Sequence, residues 1–172
     1  MFDEILGLPV HPLVIHAAVV FVPLLALIGA AYAVLPRHRA RLGWAVVLLA
    51  VVAPVSALAS WLSGRALLDG RFGGRIPPGV VGERIAEHES LATPLLISTA
   101  ALGVAALLLV AVARKAGPAP DAATGGRRRA AAGSAGNTTV TTVLAGVTIV
   151  LAVVAVYFVV RTGHTGALAV WG

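Results

Sequence analysis

The chain has 172 residues, of which 59% are hydrophobic and only 12% are charged. Soluble domains contain about 45–50% apolar and about 25% charged residues, and a soluble fold of this length cannot bury so large an apolar excess. The composition therefore predicts a surface that faces lipid. Cysteine is absent, which excludes disulfides and thiolate metal sites. The net charge of +6 comes from short loops between apolar stretches, so we predict no nucleic-acid partner.

Four apolar stretches are long enough to cross a bilayer, which takes about 20 helical residues. They must be helices, because four segments are too few for a closed barrel and lipid tolerates no open sheet edge. The predicted fold class is all-α, an integral membrane four-helix bundle that forms one domain, residues 1–172. The predicted spans are residues 12–35, 42–62, 91–113 and 140–160, and the Ala-, Gly- and Pro-rich segment 115–138 is predicted to be a flexible cytoplasmic loop.

Basic residues are distributed unevenly between the two sides of this predicted bundle. The loops after the first and third spans carry eight basic residues and the single acid Asp121, whereas the other side carries five basic and six acidic residues. The positive-inside rule places the first and third loops in the cytoplasm, so both termini and segment 63–90 are predicted to lie outside. The start of the chain has Asp3 and Glu4 but lacks the basic residues of a secretory signal peptide, so we expect the first span to be retained.

Small residues recur at helical spacing in every predicted span. Helices in lipid need small side chains where they approach closely, so each span is predicted to turn one small-residue face toward its neighbours. Pro94 leaves the start of the third helix open, either at this proline or earlier, near Glu83. The small residues are Ala26, Ala30 and Ala33, then Ala53, Ala57, Ser60 and Gly64, then Thr99, Gly103 and Ala106, and finally Thr141, Ala145, Thr148, Ala152 and Ala155.

Four of the five histidines fall on the predicted outer side, although they come from three separate parts of the chain. His11 and His16 open the first span, His88 lies near the start of the third, and His164 follows the fourth, whereas His38 lies in a cytoplasmic loop and is expected to be solvated. Histidine is costly in lipid and usually faces the bundle interior there. Five residues turn a helix by about 140°, so His11 and His16 cannot both face one centre from a regular helix. The sequence favours His16 as the inward residue.

Two kinds of cofactor site fit these histidines. One is a haem b held by two imidazoles between helices, with His16, His88 and His164 as the expected ligand candidates and arginines of the outer side meeting its propionates. The other is a copper or zinc ion bound by three or four of His11, His16, His88 and His164, with Glu87 as a further ligand. A third interpretation needs no cofactor: the histidines are interfacial, and the protein is a membrane anchor or interaction subunit. The chain has neither a phosphate-binding loop nor a nucleophile with a nearby base, so we predict an electron-transfer component rather than a stand-alone enzyme.

The segment Leu8-Pro9-Val10-His11-Pro12-Leu13-Val14-Ile15-His16 resembles the signature of a bacterial membrane family known as domain of unknown function 2231. The stretch Gly163-His164-Thr165-Gly166 is similar to the end of that family, and Ser63-Gly64 and His88 fit its pattern. The resemblance implies four spans in a bacterial cytoplasmic (inner) membrane, with the four outer histidines at family-like positions.

Some members of that family resemble modules joined to Rieske-type or cytochrome c domains, which implies a role in electron transfer. The 172 residues contain no recognisable redox domain, so the expected partner is a separate redox protein on the outer face. Whether the chain also forms a homo-oligomer stays open at the level of the sequence.

Overall fold

Backbone groups inside lipid must form their hydrogen bonds within their own segment, and long helices achieve this. The computed structural model describes residues 4–5, 8–115 and 130–171, and within them it contains four long helices. Two short strands, β1 and β2, pair antiparallel before the first helix, and a 3-10 turn joins the first helix to the second. The predicted all-α four-helix class is confirmed. The elements are β1 Glu4–Ile5, β2 Leu8–Pro9, α1 Val10–Val34, the turn Pro36–His38, α2 Arg39–Phe72, α3 Val80–Lys115 and α4 Ala130–Trp171.

All four helices are long and apolar enough to cross a membrane. Large apolar side chains are exposed along the outward faces of every helix, among them Leu27, Leu48, Val104 and Val153. Exposed apolar patches of this extent are rare on soluble monomers. The protein is therefore a multi-pass membrane protein whose outward surface contacts lipid.

The helices extend beyond the predicted spans, and segment 63–90 is largely helical rather than a loop. α2 ends where Gly73 adopts a φ of +62°, and the Gly73 N–H donates to the Asp69 carbonyl at 3.0 Å. Glycine favours this left-handed helix cap because it has no Cβ. α3 begins at Val80 and contains Pro94 in its interior, so the start that the sequence left open is the earlier one.

The connection between α3 and α4 is shorter than predicted. α4 begins at Ala130, so the last part of the predicted flexible loop 115–138 is helical. The rest of that loop, residues 116–129 with the basic run 127–129, lies outside the described residues.

The four helices pack in a ring, in which α1 contacts α2 and α4, and α3 contacts α2 and α4. α1 and α3 face each other across the diagonal of the bundle. The predicted small-residue faces are confirmed as the packing faces, since Ala53, Thr99 and Thr148 are fully buried. α2 and α3 approach each other closely at Gly103, where an added Cβ would lie 2.8 Å from the Ala50 backbone oxygen.

The up-and-down order brings two helix starts and two helix ends together at each end of the bundle. We call the end formed by the start of α1, the end of α2, the start of α3 and the end of α4 the histidine end, because His11 and His88 lie there. The opposite end contains Arg39 and Arg114, and we call it the arginine end.

Candidate cofactor site at the histidine end

His11 lies in the first turn of α1 and is half-buried. Its Nδ1 is 2.9 Å from Oγ of Ser63, which lies in the C-terminal part of α2. The Ser63 hydroxyl donates its own hydrogen to the Ser60 carbonyl at 3.0 Å, so toward His11 it can only accept. His11 therefore donates from Nδ1, and when the ring is neutral its Nε2 carries a free lone pair.

His88 is held in the same way on α3. Its Nδ1 lies 2.9 Å from the Thr162 carbonyl oxygen on α4 and 3.4 Å from Thr165 Oγ1. A carbonyl oxygen only accepts, so the hydrogen must be on Nδ1 of His88. In the neutral ring, Nε2 of His88 again carries the free lone pair.

The two rings meet across the bundle diagonal. Their centroids are 6.3 Å apart, and their planes are inclined by 77°. Each ring donates its Nδ1 hydrogen bond to the helix that follows its own in the chain, α2 for His11 and α4 for His88. All four helices therefore contribute to one small site near the bundle axis.

Two glycines make room for the rings. An added Cβ at Gly64 would lie 3.1 Å from His11 Cε1, and one at Gly166 would lie 2.9 Å from His88 Cε1. Both distances are shorter than ordinary carbon–carbon contacts. Each imidazole thus faces a hydroxyl–glycine pair on the next helix, Ser63-Gly64 for His11 and Thr165-Gly166 for His88. Both hydroxyl–glycine pairs can be seen in the sequence, but the sequence does not show which histidine each pair contacts.

His16 and His164 do not join the site, and the expectation that His16 points inward is wrong. The His16 side chain is exposed, and its Nδ1 lies 2.5 Å from the carbonyl of Pro12, one turn earlier in the same helix. α1 already begins at Val10, so His11 is inside the helix and takes the inward direction, about 140° away from His16. His164 is also exposed, because α4 turns Thr162 and Thr165 rather than His164 toward α3.

Glu87 turns away from the histidines. Its carboxylate pairs with Arg161 at 3.1 Å, and the two side chains are 51% and 46% exposed. No group of three His, Asp or Glu side chains that could hold a metal ion occurs among the residues that the structure describes. The copper or zinc site of three or four ligands, with or without Glu87, therefore has no geometric support there.

Arginines of the same end are already engaged with their surroundings. Arg84 donates to the Leu168 carbonyl at 2.9 Å, and the Arg65 guanidinium lies 4.9 Å from the ring centre of Trp61. These contacts tie α3 to α4 and hold one cation beside the indole. The same end of the bundle thus carries the positive charges of Arg65, Arg84 and Arg161.

One buried polar atom beside the pair has no partner. Thr162, whose carbonyl accepts from His88, has a buried Oγ1 without a hydrogen bond in the described part of the chain. Buried hydroxyls are normally paired, and an unpaired one often marks an unseen water or ligand.

The fold and site define a class: an integral membrane four-helix bundle with a diagonal histidine pair at one end. No protein-family model, curated protein or solved structure matches the chain. The resemblance to domain of unknown function 2231 therefore stays a prediction that rests on the sequence motifs alone.

Proposed function

We propose that the protein binds haem b between His11 and His88 and serves as a membrane electron-transfer component. The observation that carries the proposal is the shared tautomer of the two rings. Each is fixed by a hydrogen bond through Nδ1, and each therefore presents an Nε2 lone pair in a half-buried space between helices. Paired imidazoles on facing helices are the ligands that a low-spin haem requires.

The separation of the rings fits one metal centre between them. Metal–imidazole bonds are about 2 Å long, which places the centroids of two opposed rings roughly 6 Å apart. The observed separation is 6.3 Å. The unpaired Thr162 Oγ1 and the space left by Gly64 and Gly166 are further features that a bound group at this level would explain.

A zinc or copper site is the weaker alternative. Protein zinc sites use at least three side-chain ligands, and the described residues bring only two imidazoles together. Haem would need only two ligands from the protein, and His11 and His88 would supply them.

In this proposal the polypeptide has three tasks. His11 and His88 would hold the haem, Ser63 and Thr162 fix the orientation and tautomer of those rings, and the arginines of the histidine end would offset the propionate charge. When bound, haem supplies a centre that takes up and releases one electron. Polar groups that anchor the ligand rings also adjust the reduction potential.

The proposal includes an orientation. The basic loops support a cytoplasmic arginine end, so the histidine end and both termini would lie outside a bacterial inner membrane. A separate redox protein on that face would exchange electrons with the site. The mass of the detergent-solubilised protein would show whether it is a monomer or a homo-oligomer.

The test is the absorption spectrum of detergent-purified protein expressed with a haem precursor, recorded oxidised and after dithionite. We expect a Soret band that sharpens on reduction, with resolved α and β bands. His11→Ala and His88→Ala should each lose these bands. His16→Ala and His164→Ala are matched controls. They remove exposed imidazoles from the same end of the bundle and should leave the spectrum unchanged.

Added imidazole should restore part of the low-spin spectrum in His88→Ala, which separates ligand loss from misfolding. A flat spectrum in the unmodified protein would refute haem binding. Metal analysis of that preparation would then distinguish a copper or zinc protein from a cofactor-free anchor. Loss of the bands in His16→Ala or His164→Ala would show that the ligand pair is a different one.

A further inference from the structure

A second polar cluster lies at the arginine end, between α1, α2 and α3. Tyr32 near the end of α1 is only 2% exposed, and the Arg39 guanidinium carbon lies 5.5 Å from its ring centre. Arg39 also donates from Nε to the Tyr32 carbonyl at 3.1 Å and from Nη2 to the Ala33 carbonyl at 3.2 Å. Two of the last carbonyls of α1 thereby gain partners, as helix ends require.

A second guanidinium reaches the same place from α3. A Cβ added at Gly43, in the second turn of α2, would lie 3.4 Å from Arg114 Nη2 and 3.7 Å from Tyr32 Cε2. The Arg114 guanidinium and the Tyr32 ring edge therefore share the space that Gly43 leaves open.

Polar groups of this cluster lack partners among the described residues. Among the described residues, the only ion pair joins Glu87 to Arg161 at the opposite end of the bundle. Neither Arg39 nor Arg114 therefore pairs with a described carboxylate. His38, next to Arg39 in the chain, has a buried Nδ1 without a hydrogen-bond partner among the described residues. His38 is thus not simply solvated, as the sequence suggested.

Two guanidinium groups beside the ring of Tyr32 match the requirements of an oxyanion. Arginine presents a fork of N–H donors that suits phosphate, and the Tyr32 hydroxyl adds one more donor. We propose that Arg39, Arg114 and the Tyr32 hydroxyl bind the phosphate of an anionic phospholipid headgroup at the arginine end.

The surroundings favour a lipid over a free phosphate ion. Trp44 follows Gly43 directly and is 68% exposed, and Leu48, one turn further along α2, is also exposed. Indoles prefer the membrane interface, and the apolar surface beyond it can accommodate acyl chains. Basic pockets between helices at the membrane surface are suited to such headgroups.

The test measures binding of phosphatidylglycerol to the full chain after delipidation in a neutral detergent. Phosphatidylcholine and inorganic phosphate are the comparison probes. We expect phosphatidylglycerol to bind at one saturable site and to raise the unfolding temperature, while inorganic phosphate at the same concentration has little effect. Arg114→Gln should weaken phosphatidylglycerol binding about tenfold or more, because it removes a charged hydrogen bond.

Arg41→Gln is the matched control, because Arg41 carries the same charge at the same end and is exposed, as Arg114 is, but has no described contact with Tyr32 or with the space beside Gly43. It should change the affinity less than about threefold, as expected for a screened surface charge. Tyr32→Phe keeps the buried ring and removes only the hydroxyl, so it tests the site even if Arg114→Gln folds poorly. It should weaken binding about fivefold.

Three results would overturn the proposal. Equal losses in Arg114→Gln and Arg41→Gln would mean diffuse attraction of anionic lipid to basic loops. Stabilisation by inorganic phosphate as strong as that by phosphatidylglycerol would assign the site to a free anion. Unchanged binding in both Arg114→Gln and Tyr32→Phe would leave the cluster without a role in lipid binding.

Discussion

The two ends of the bundle hold their polar groups in different ways. At the histidine end, His11 and His88 are each anchored through Nδ1 by the next helix, and glycines leave just enough room for the rings. At the arginine end, Arg39 is held by carbonyls of α1, while Arg114 ends beside Gly43 without a described hydrogen bond. The first arrangement fixes rigid rings in one orientation, which suits ligands of a metal centre. The second leaves a long side chain free to adjust, which suits a headgroup.

Gly166→Ala should have the largest effect, because it acts on the rigid end. The new Cβ would lie 2.9 Å from His88 Cε1, and the ring cannot retreat without weakening its 2.9 Å bond to the Thr162 carbonyl. We expect a loss of about 1–3 kcal/mol in the free energy of unfolding, together with loss of any bound cofactor. Chemical unfolding in detergent measures the first, and the visible spectrum measures the second.

Gly163→Ala is the control for this substitution. It lies three residues earlier in α4, and its added Cβ meets no atom within 4 Å. Alanine should stabilise the helix there by up to about 1 kcal/mol. If both variants were stabilised equally, the ring would be mobile, and the proposed contrast between the two ends would fail.

The fold was predictable from the sequence, whereas the partners within the site were not. Four long apolar stretches admit only helices in lipid, and the small residues that repeat along them identify the packing faces, as buried Ala53 and Thr148 illustrate. Whether His11 or His16 faces the bundle interior depends on where α1 begins. Because α1 begins at Val10, His11 is already part of the helix, and it points about 140° away from His16. The pairing of His11 with His88 depended on how far α2 and α3 extend beyond the apolar stretches, and hydropathy does not determine that.

Ser63→Ala should have the next largest effect, and it sharpens the role given to the ring anchors. It removes the acceptor of the His11 Nδ1 hydrogen, which leaves a half-buried donor unsatisfied at a cost of about 1–2 kcal/mol. His11 could then turn or change tautomer, so a bound haem should show partial high-spin character. Ser90→Ala is the control, because the Ser90 hydroxyl is exposed and bonds only the Glu87 carbonyl of its own helix. An unchanged spectrum in Ser63→Ala would show that the anchor does not hold the ligand.

Gly43→Ala tests the flexible end and should have a smaller effect than Gly166→Ala. Its Cβ would approach the tip of the Arg114 side chain at 3.4 Å, and a long side chain can move aside at little cost. We expect a change in the free energy of unfolding within about 0.5 kcal/mol, while binding of phosphatidylglycerol falls measurably. A loss of stability as large as that of Gly166→Ala would mean that both ends are equally rigid.

Glu87→Gln should have the smallest effect, and it decides whether the histidine end includes a carboxylate ligand. The pair of Glu87 with Arg161 is about half exposed, and such surface pairs contribute about 0–1 kcal/mol. We therefore expect little change in unfolding and an unaltered spectrum, because the carboxylate turns away from the rings. Loss of bound metal or haem in Glu87→Gln would instead place this carboxylate in the site and revive a centre with more than two side-chain ligands. The amide keeps the size of the Glu87 side chain and removes only its charge. Loss of the cofactor would therefore mean either that the carboxylate is a ligand or that its charge acts on the site from a distance. Arg161→Gln also changes the charge there but leaves the Glu87 carboxylate in place, so it would distinguish these two causes.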